Sequence, residues 1–285
     1  MAADAIVVGV TSRPVSQRVT DWAADLAAAE GRELVLVSVV GGSIGTVGAE
    51  EVLRLALANA QALADKEAER LTGQGLNVRV SVSNGNPTAV LIEESEDAAV
   101  LVIGSDVGGE GHHGRRGPHG RRAVAGAHCP VVVVPDIDVS AFSGVVVGLD
   151  GSEVSQRALV FAAKQAARLG ETLTAVAVWE PVPLTADYGF GGGSYYPEFY
   201  LTDLQQQTEA MLDALLEDTR AEYPDLRIET HVVEGDPGIE INTVARTARI
   251  AVVGTHGHTG LARLLLGSVS EHVLAELVTV TAVVR

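Results

Sequence analysis

The stretch Gly144-Val-Val-Val-Gly-Leu-Asp-Gly-Ser152 decides the fold, because a short β-branched run ends there in a glycine, an aspartate and a turn. A segment with helical periodicity, residues 153–170, follows it. The same arrangement opens the chain, where Ala5-Ile-Val-Val-Gly-Val10 also precedes a helix-like segment. Gly9 and Gly148 occupy equivalent places, 139 positions apart. A strand–turn–helix unit that recurs in this way indicates an internal repeat.

The repeat continues to the end of each half. Gly85-Asn-Pro87 and Gly235-Asp-Pro237 each lead into a short helix pattern and an apolar strand, and these tripeptides lie 150 positions apart. The larger offset predicts an insertion in the second half, and the stretch from Tyr188 to Tyr200 is the candidate. Each half ends in a β-branched run, at Val131–Val134 and at Val278–Val284. The chain is therefore predicted to contain two copies of one fold.

Each copy has the pattern β-α-β-α-β-α-β-α-β. The strands are nearly continuous apolar runs, as expected when helices cover both faces of a parallel sheet. Alternating strands and helices with right-handed crossovers predict an α/β fold with a doubly wound, five-stranded, parallel-type sheet. We expect two tandem domains, at residues 1–136 and 143–285, with the polar stretch 135–140 as the linker.

Composition narrows the function classes. The chain has 285 residues, a net charge of −17 and a single cysteine. Such acidity disfavours non-specific binding to nucleic acid or to anionic membrane surfaces. Cys129, which lies before an apolar strand, has no partner for an intramolecular disulfide and is expected to be a buried, inert thiol. We see no signal peptide and no apolar run of 18 residues, so a cytoplasmic protein is expected.

The loops after the first and fourth strands of each copy are the places for chemistry, because ligands of open α/β sheets bind beyond the carboxyl ends of the strands. In the second copy the fourth strand runs into three glycines at three-residue intervals, Gly254, Gly257 and Gly260. The segment Ser268-Val-Ser-Glu271 then has a capping-box pattern that predicts the start of the last helix. A helix N-terminus suits a phosphate, although a glycine-rich turn that only reverses the chain remains open.

Two common nucleotide motifs are absent. The chain has no G-x-x-x-x-G-K-[ST] sequence, and its only lysines are Lys66 and Lys164, both in predicted helices. Neither first strand is followed by G-x-G-x-x-G, which disfavours an NAD enzyme. Any phosphate site is therefore expected to use backbone amides and hydroxyls.

The second copy resembles the universal stress protein family, whose ATP-binding members carry G-x-x-G, nine residues and then G-[ST]. Gly254-Thr-His-Gly257, residues 258–266 and Gly267-Ser268 match that spacing without a gap. The resemblance implies a Rossmann-like fold and a bound ATP, with or without Mg²⁺. It implies that Asp150 lies near the ribose and adenine, Val178 lies against the base, and Gly257, Gly267 and Ser268 surround the phosphates. The candidate site residues are Asp150, Val178, Gly254, His256, Gly257, Gly260, Arg263, Gly267, Ser268, Val269 and Ser270.

The first copy departs from this pattern. Thr11 stands where the aspartate is expected, and Val107 stands where the second glycine is expected. Pro118 replaces the hydroxyl residue and lacks a backbone N–H. We expect this copy to have lost ATP binding.

Several residues have more than one interpretation. The basic stretch Gly111–Arg122 is interpreted as a solvated loop, with an anion site or a metal site at His112, His113 and His119 as alternatives. His256 is interpreted as a phosphate contact, with an exposed loop histidine as its alternative. Arg263 either closes over phosphate or is solvated. The insertion at Asp187–Tyr200 is a lid, a partner-binding loop or a loop that packs its rings on its own domain.

The leading hypothesis is a nucleotide-binding stress-response regulator in which the second copy binds ATP. An enzyme is not favoured, since no nucleophile–base–orienter set and no two-metal carboxylate cluster is apparent, and at most weak ATPase activity is expected. The alternatives are an ATP-independent interaction module and a slow ATP hydrolase. By resemblance, the strands near Val131 and Val283 pair inside the chain as a pseudo-dimer, and a homo-oligomer and an unidentified protein partner are further expectations.

Overall fold

The computed structural model describes residues 4–13, 15–41, 49–105, 118–181, 198–257 and 266–285. Within these ranges the first half contains β1 (Ile6–Gly9), α1 (Val15–Glu30), β2 (Leu34–Val40), α2 (Ala49–Thr72), β3 (Val78–Asn84), α3 (Pro87–Glu94), β4 (Val100–Gly104), α4 (Pro118–Gly126) and β5 (Val131–Val134). The second half contains β6 (Val145–Gly148), α5 (Glu153–Leu169), β7 (Leu173–Trp179), α6 (Glu198–Glu222), β8 (Ile228–Glu234), α7 (Pro237–Ala245), β9 (Ile250–Gly254), α8 (Ser268–Glu276) and β10 (Val280–Val284). The predicted repeat of β-α-β-α-β-α-β-α-β is confirmed.

The larger spacing in the second half arises between its second strand and second helix. Residues 180–197 separate β7 from α6, whereas residues 41–48 separate β2 from α2. This is where the sequence comparison of the two halves placed the insertion. Most of the aromatic stretch Asp187–Tyr200 lies outside the described residues, and its last residues, Glu198–Tyr200, form the start of α6.

The ten strands form one sheet in the order β3-β2-β1-β4-β5-β10-β9-β6-β7-β8. Pairing within each half is parallel, and the two halves join through the antiparallel pair β5–β10. In that pair Val283 lies opposite Val131, Ala282 opposite Val132, and Thr281 opposite Val133. Because residues 131–133 and 281–283 are equivalent in the repeat, this register is that of a two-fold axis at Val132 and Ala282. The expected intramolecular pseudo-dimer is therefore present.

Both faces of the sheet are covered by helices. On one face α1, α2, α5 and α6 pack with residues such as Ile6 and Val145 into a core that includes both halves. On the other face α3, α4, α7 and α8 contribute to a second core, which contains Val133 and Val283 from the central pair. The strands are buried throughout β1, β4, β5, β6, β9 and β10 except at glycines, which explains their continuous apolar sequences.

Local capping explains where the helices that border the clefts begin. Asn86 accepts hydrogen bonds from the backbone N–H groups of Thr88 and Ala89 at the start of α3. Its counterpart Asp236 accepts one from Ile239 N at the start of α7. A proline follows each cap, because the first helical position needs no N–H donor. The repeated tripeptides at residues 85–87 and 235–237 are thus strand-to-helix turns.

Candidate functional site

The candidate site lies at the carboxyl ends of β6 and β9, where the strand order of the second half reverses. The two strands are parallel neighbours, with Val147 opposite Val252. Their continuations, Leu149–Ser152 and Thr255–Gly257, therefore leave the sheet at the same edge. An α/β sheet binds ligands in the crevice that such diverging connections leave open. These are the two loops that sequence analysis selected as the places for chemistry, and in the second half they are in contact.

Asp150 is held in place by the turn that starts α5. Its Oδ1 accepts hydrogen bonds from Ser152 N at 3.0 Å and from Ser152 Oγ at 2.6 Å. Ser152 Oγ in turn accepts from Ser155 N at 3.1 Å and caps the helix. The carboxylate therefore cannot rotate away without losing two hydrogen bonds to Ser152. Sequence analysis did not single out Ser152, although an aspartate two residues before a serine is typical of such a turn.

Gly257 lies directly against this carboxylate. A Cβ atom at position 257 would overlap Asp150 Oδ2. Since Oδ1 is anchored by Ser152, the carboxylate has little room to give way. The glycine in this part of the motif is thus needed for close approach of the two loops, and it leaves exposed backbone beside an acidic group.

Gly267 joins the glycine-rich loop to α8. Its N–H donates to the carbonyl oxygen of Thr255 at 2.7 Å, and an added Cβ would lie 3.2 Å from the same oxygen. Ser270, whose side chain is buried, donates through Oγ to Gly267 O at 2.9 Å and Thr255 O at 3.1 Å. Thr255, which sequence analysis also missed, is therefore the point at which the end of β9 and the start of α8 are connected.

The last helix begins at Ser268, as predicted, but its cap differs from the predicted capping box. The N-cap is Gly267, and no side chain accepts a hydrogen bond there. Ser268 is the first helical residue and is exposed. An exposed helix N-terminus without a side-chain cap leaves its first N–H groups available to an anion.

The acidic residue of this first turn is paired across the molecule. Glu271 Oε1 accepts from Arg121 Nη2, and Arg121 belongs to α4 of the first half. The carboxylate is thus directed to another domain rather than back onto its own helix. Sequence analysis considered Glu271 only as the last residue of the capping-box pattern.

The other predicted residues that the structure describes lie near the ends of β7 and β9 or in the first turn of α8. Val178 lies near the end of β7, two residues after Val176, which pairs with Gly148 at the end of β6. It packs against the core to which α7 and α8 contribute. Gly254 ends β9, and His256 is half-buried beside Gly257. Val269 packs against the same core as Val178. Gly260 and Arg263 lie outside the described residues, as do His112, His113 and Val107.

The equivalent cleft of the first half keeps an apolar cavity of about 170 Å³. Its walls include Val37, Val39, Leu91 and Ile103. Thr11 takes the place of the aspartate, with Oγ1 accepting from Arg13 N at 3.3 Å. The cavity is lined by Gly9, Val10, Thr11, Val37, Val39, Pro87, Thr88, Leu91, Ile103, Gly104, Gly120 and Ala123, a set without a charged side chain.

Pro118 is the first residue of α4, so this helix starts without one of the N–H donors that α8 has. The two clefts therefore differ at both the acidic end and the helix end.

The residues of the second cleft fit an adenine nucleotide. The anchored carboxylate of Asp150 can accept from ribose hydroxyls, and Gly257 and Gly267 each present backbone at a place where a Cβ would be crowded. In the part of the chain that the structure describes, no group of three His, Cys, Asp or Glu side chains could hold a metal ion.

Two further observations concern the rest of the chain. Cys129 is buried, and burial raises the pKa of its thiol to about 12. Among the described residues, no helix combines the length and the apolar character needed to cross a bilayer.

Comparison with known proteins agrees with the repeat and with the fold. The model of the universal stress protein family matches the chain twice, at residues 3–135 and 142–285. A universal stress protein of Mycobacterium tuberculosis strain H37Rv is 32% identical over 284 residues, which cover 94% of this chain and 92% of that relative. One from Mycolicibacterium smegmatis is 31% identical and covers 98% and 96%.

A solved universal stress protein from Archaeoglobus fulgidus has the same fold, with a TM-score of 0.71 at 17% identity over 100% of this chain and 99% of that one. Both the sequence matches and the fold extend over the two halves. The chain therefore belongs to the universal stress protein family, with two copies of the family's domain in tandem.

Proposed function

We propose that the second half binds ATP and that the chain is a nucleotide-binding stress-response regulator. One observation carries this proposal. The anchored carboxylate of Asp150, the bare backbone at Gly257 and the start of α8 at Gly267 converge on one cleft at the switch point of the sheet. An acceptor for sugar hydroxyls beside N–H donors for phosphate is the chemistry that a nucleotide requires.

Each residue then has a defined role. Asp150 binds the ribose, and Val178 contacts the adenine. The free N–H groups at Gly257 and at the start of α8, which follows Gly267, bind the phosphates together with the hydroxyl of Ser268. Gly254 and Gly260 shape the loop. His256 and Arg263 lie near the phosphates, and Arg263 adds positive charge there. Val269 supports the first turn of α8, and Ser270 holds that turn to the strand through its buried hydroxyl.

A regulator is proposed in preference to an enzyme. Binding depends on backbone amides and one carboxylate, and this set supplies neither a nucleophile nor a base placed against the γ-phosphate. ATP with Mg²⁺ is the proposed ligand, weak hydrolysis is the most that we expect, and the cytoplasm is the proposed location. Occupancy would change how the protein associates with itself or with a protein partner.

Calorimetric titration of nucleotide-free protein with ATP and Mg²⁺ tests the proposal. We expect one site per chain, because the first half lacks the carboxylate and one helix donor. Gly267→Val should abolish the heat, because its side chain would press on the Thr255 carbonyl. Gly117→Val, at the equivalent position of the first half, is the matched control and should bind normally. Circular dichroism of both variants checks that they fold.

Other outcomes contradict the proposal in different ways. Two sites per chain would show that the first half also binds ATP. No binding of ATP or of any other nucleotide would favour the second candidate, an ATP-independent interaction module. The continuous sheet through β5 and β10 favours that candidate, since it makes one rigid scaffold from two domains. A partner captured equally by the normal protein and by Gly267→Val would support it.

A further inference from the structure

The start of α8 carries a charge that conflicts with anion binding. Glu271 lies in the first turn of this helix, a few residues from Gly267 and Ser268. A carboxylate there interacts favourably with the helix dipole, yet it repels any phosphate bound at the same end. The structure resolves this conflict with a residue of the other half, because Arg121 of α4 forms an ion pair with Glu271.

The pair is specific to the tandem arrangement. The β5–β10 register relates the halves by a two-fold axis at Val132 and Ala282. Positions 121 and 271 are equivalent under that axis, since each is the fourth residue of its helix, α4 or α8. In a dimer of identical domains this position would face its own copy, and two like charges would meet. Only two halves of different sequence can place an arginine opposite a glutamate.

We propose that Arg121 is a positioning residue for the phosphate end of the second-half site, which it serves from the first half. Its guanidinium holds the Glu271 carboxylate and cancels most of its charge. The proposal rests on ATP binding by the second half. The affinity for phosphate then depends on contact between the two halves. The first half, whose own motif is degenerate, thus contributes to binding at the second.

The contribution of Arg121 is electrostatic and should depend on the charge of the ligand. Both side chains of the pair are nearly half exposed, 43% for Arg121 and 46% for Glu271, so solvent and salt weaken the effect. An uncompensated carboxylate in the first turn of the helix that binds the triphosphate should lower ATP affinity by roughly three- to tenfold at low salt. Adenosine has the same base and sugar without phosphate, and its affinity should be unaffected.

The test uses the full chain with Arg121→Gln, Glu271→Gln and the double variant. Affinities for ATP are measured by calorimetry at low and at high salt, and those for adenosine by displacement of ATP. Of the three variants, only Arg121→Gln should bind ATP more weakly than the unmodified protein. The double variant should bind it normally. At high salt the affinity of Arg121→Gln should be close to that of the unmodified protein. Arg122→Gln, which removes the neighbouring exposed arginine, is the matched control and should behave as the unmodified protein.

The outcomes separate this inference from the proposed function. If the unmodified protein binds no ATP, both fail. If it binds ATP and Arg121→Gln binds equally well, only the role of Arg121 is overturned. An equal loss for ATP and adenosine, or a double variant as weak as Arg121→Gln, would assign Arg121 to structure alone and would also overturn it.

Discussion

The lack of a side chain at Gly257 allows the loop after β9 to lie against Asp150. Gly257→Ala should therefore weaken ATP binding at least tenfold, because the new methyl group must displace a carboxylate that Ser152 anchors. Since this displacement strains two hydrogen bonds to Ser152, the free energy of unfolding should also fall, by about 1–2 kcal/mol. Calorimetry and urea unfolding measure the two effects.

Gly31→Ala is the control for this prediction. Gly31 has a φ of +64° with nothing near its Cβ position, so alanine there is strained without any steric contact. It should lower stability by about 1 kcal/mol and leave ATP affinity unchanged. If Gly257→Ala bound ATP normally, the close approach of the two loops would have no part in recognition.

Cys129 is predicted to be chemically inert in the folded protein. Burial raises the pKa of its thiol to about 12, so almost no thiolate exists at pH 7 to 8. A coloured disulfide reagent should label less than a tenth of the chains in an hour under native conditions. Labelling should be complete in concentrated guanidinium chloride. Rapid native labelling would contradict the buried position.

At the scale of elements, Ser268 and Ser270 should separate binding from stability at the start of α8. Ser270→Ala removes a buried hydroxyl that bonds to two carbonyl oxygens, Thr255 O and Gly267 O. It should lower the free energy of unfolding by about 1–2 kcal/mol. Ser268→Ala removes an exposed hydroxyl and should leave stability unchanged while it weakens ATP binding. Urea unfolding measures the stability of both variants. A lower stability for Ser268→Ala than for Ser270→Ala would contradict the prediction.

Helices α1 and α5 are joined across the two halves by an ion pair that should make stability depend on pH. Lys164 Nζ lies 2.8 Å from Glu30 Oε1, and Arg32 Nε lies 2.6 Å from Glu30 Oε2. Burial acts to raise the pKa of Glu30, but hydrogen bonds from Lys164 and Arg32 outweigh it, so the pKa is lowered from 4.5. A depressed pKa stabilises the fold above about pH 4.5, and this contribution is lost as the pH falls through the folded-state value.

Lys164→Met should therefore cost about 1 kcal/mol at pH 7 and less at pH 3, which lies below the usual pKa of Glu30. Lys66→Met, which changes the chain's other, exposed lysine, is the control and should show no such difference. Urea unfolding at both pH values measures this. A cost for Lys164→Met that is the same at pH 3 would show that its alkyl chain, and not its charge, stabilises α5 on α1.

At the scale of the whole molecule, the two halves should unfold as one unit. Both hydrophobic cores contain residues of both halves, and β5 and β10 pair at the centre of the sheet. Differential scanning calorimetry should give a single transition with calorimetric and van't Hoff enthalpies about equal. Val132→Asp, at a fully buried position on the axis, should split or abolish the transition, whereas Val52→Asp, at an exposed position of α2, should not.

Much of the fold could be predicted from the sequence because it depends on local patterns. Continuous apolar runs predict buried parallel strands, and the recurrence of these runs predicts two copies. The meeting of Asp150 with Gly257 also follows, since the carboxyl ends of neighbouring parallel strands lie at one edge. The predicted capping box at Ser268 did not form, because Gly267 is tied to Thr255 and occupies the N-cap position. A four-residue pattern does not include that contact.

The sequence by itself determined the order of the elements, the repeat and the place of the insertion. Its resemblance to a family, and not its periodicity, led to the expectation that β5 pairs with β10. Only the tertiary structure decided that Arg121 meets Glu271, that Lys164 meets Glu30, and that Ser270 uses its hydroxyl inside the protein. The physical reason is that ion pairs and buried hydrogen bonds depend on which surfaces pack together. For the two ion pairs, those surfaces belong to different halves and lie more than a hundred residues apart in sequence.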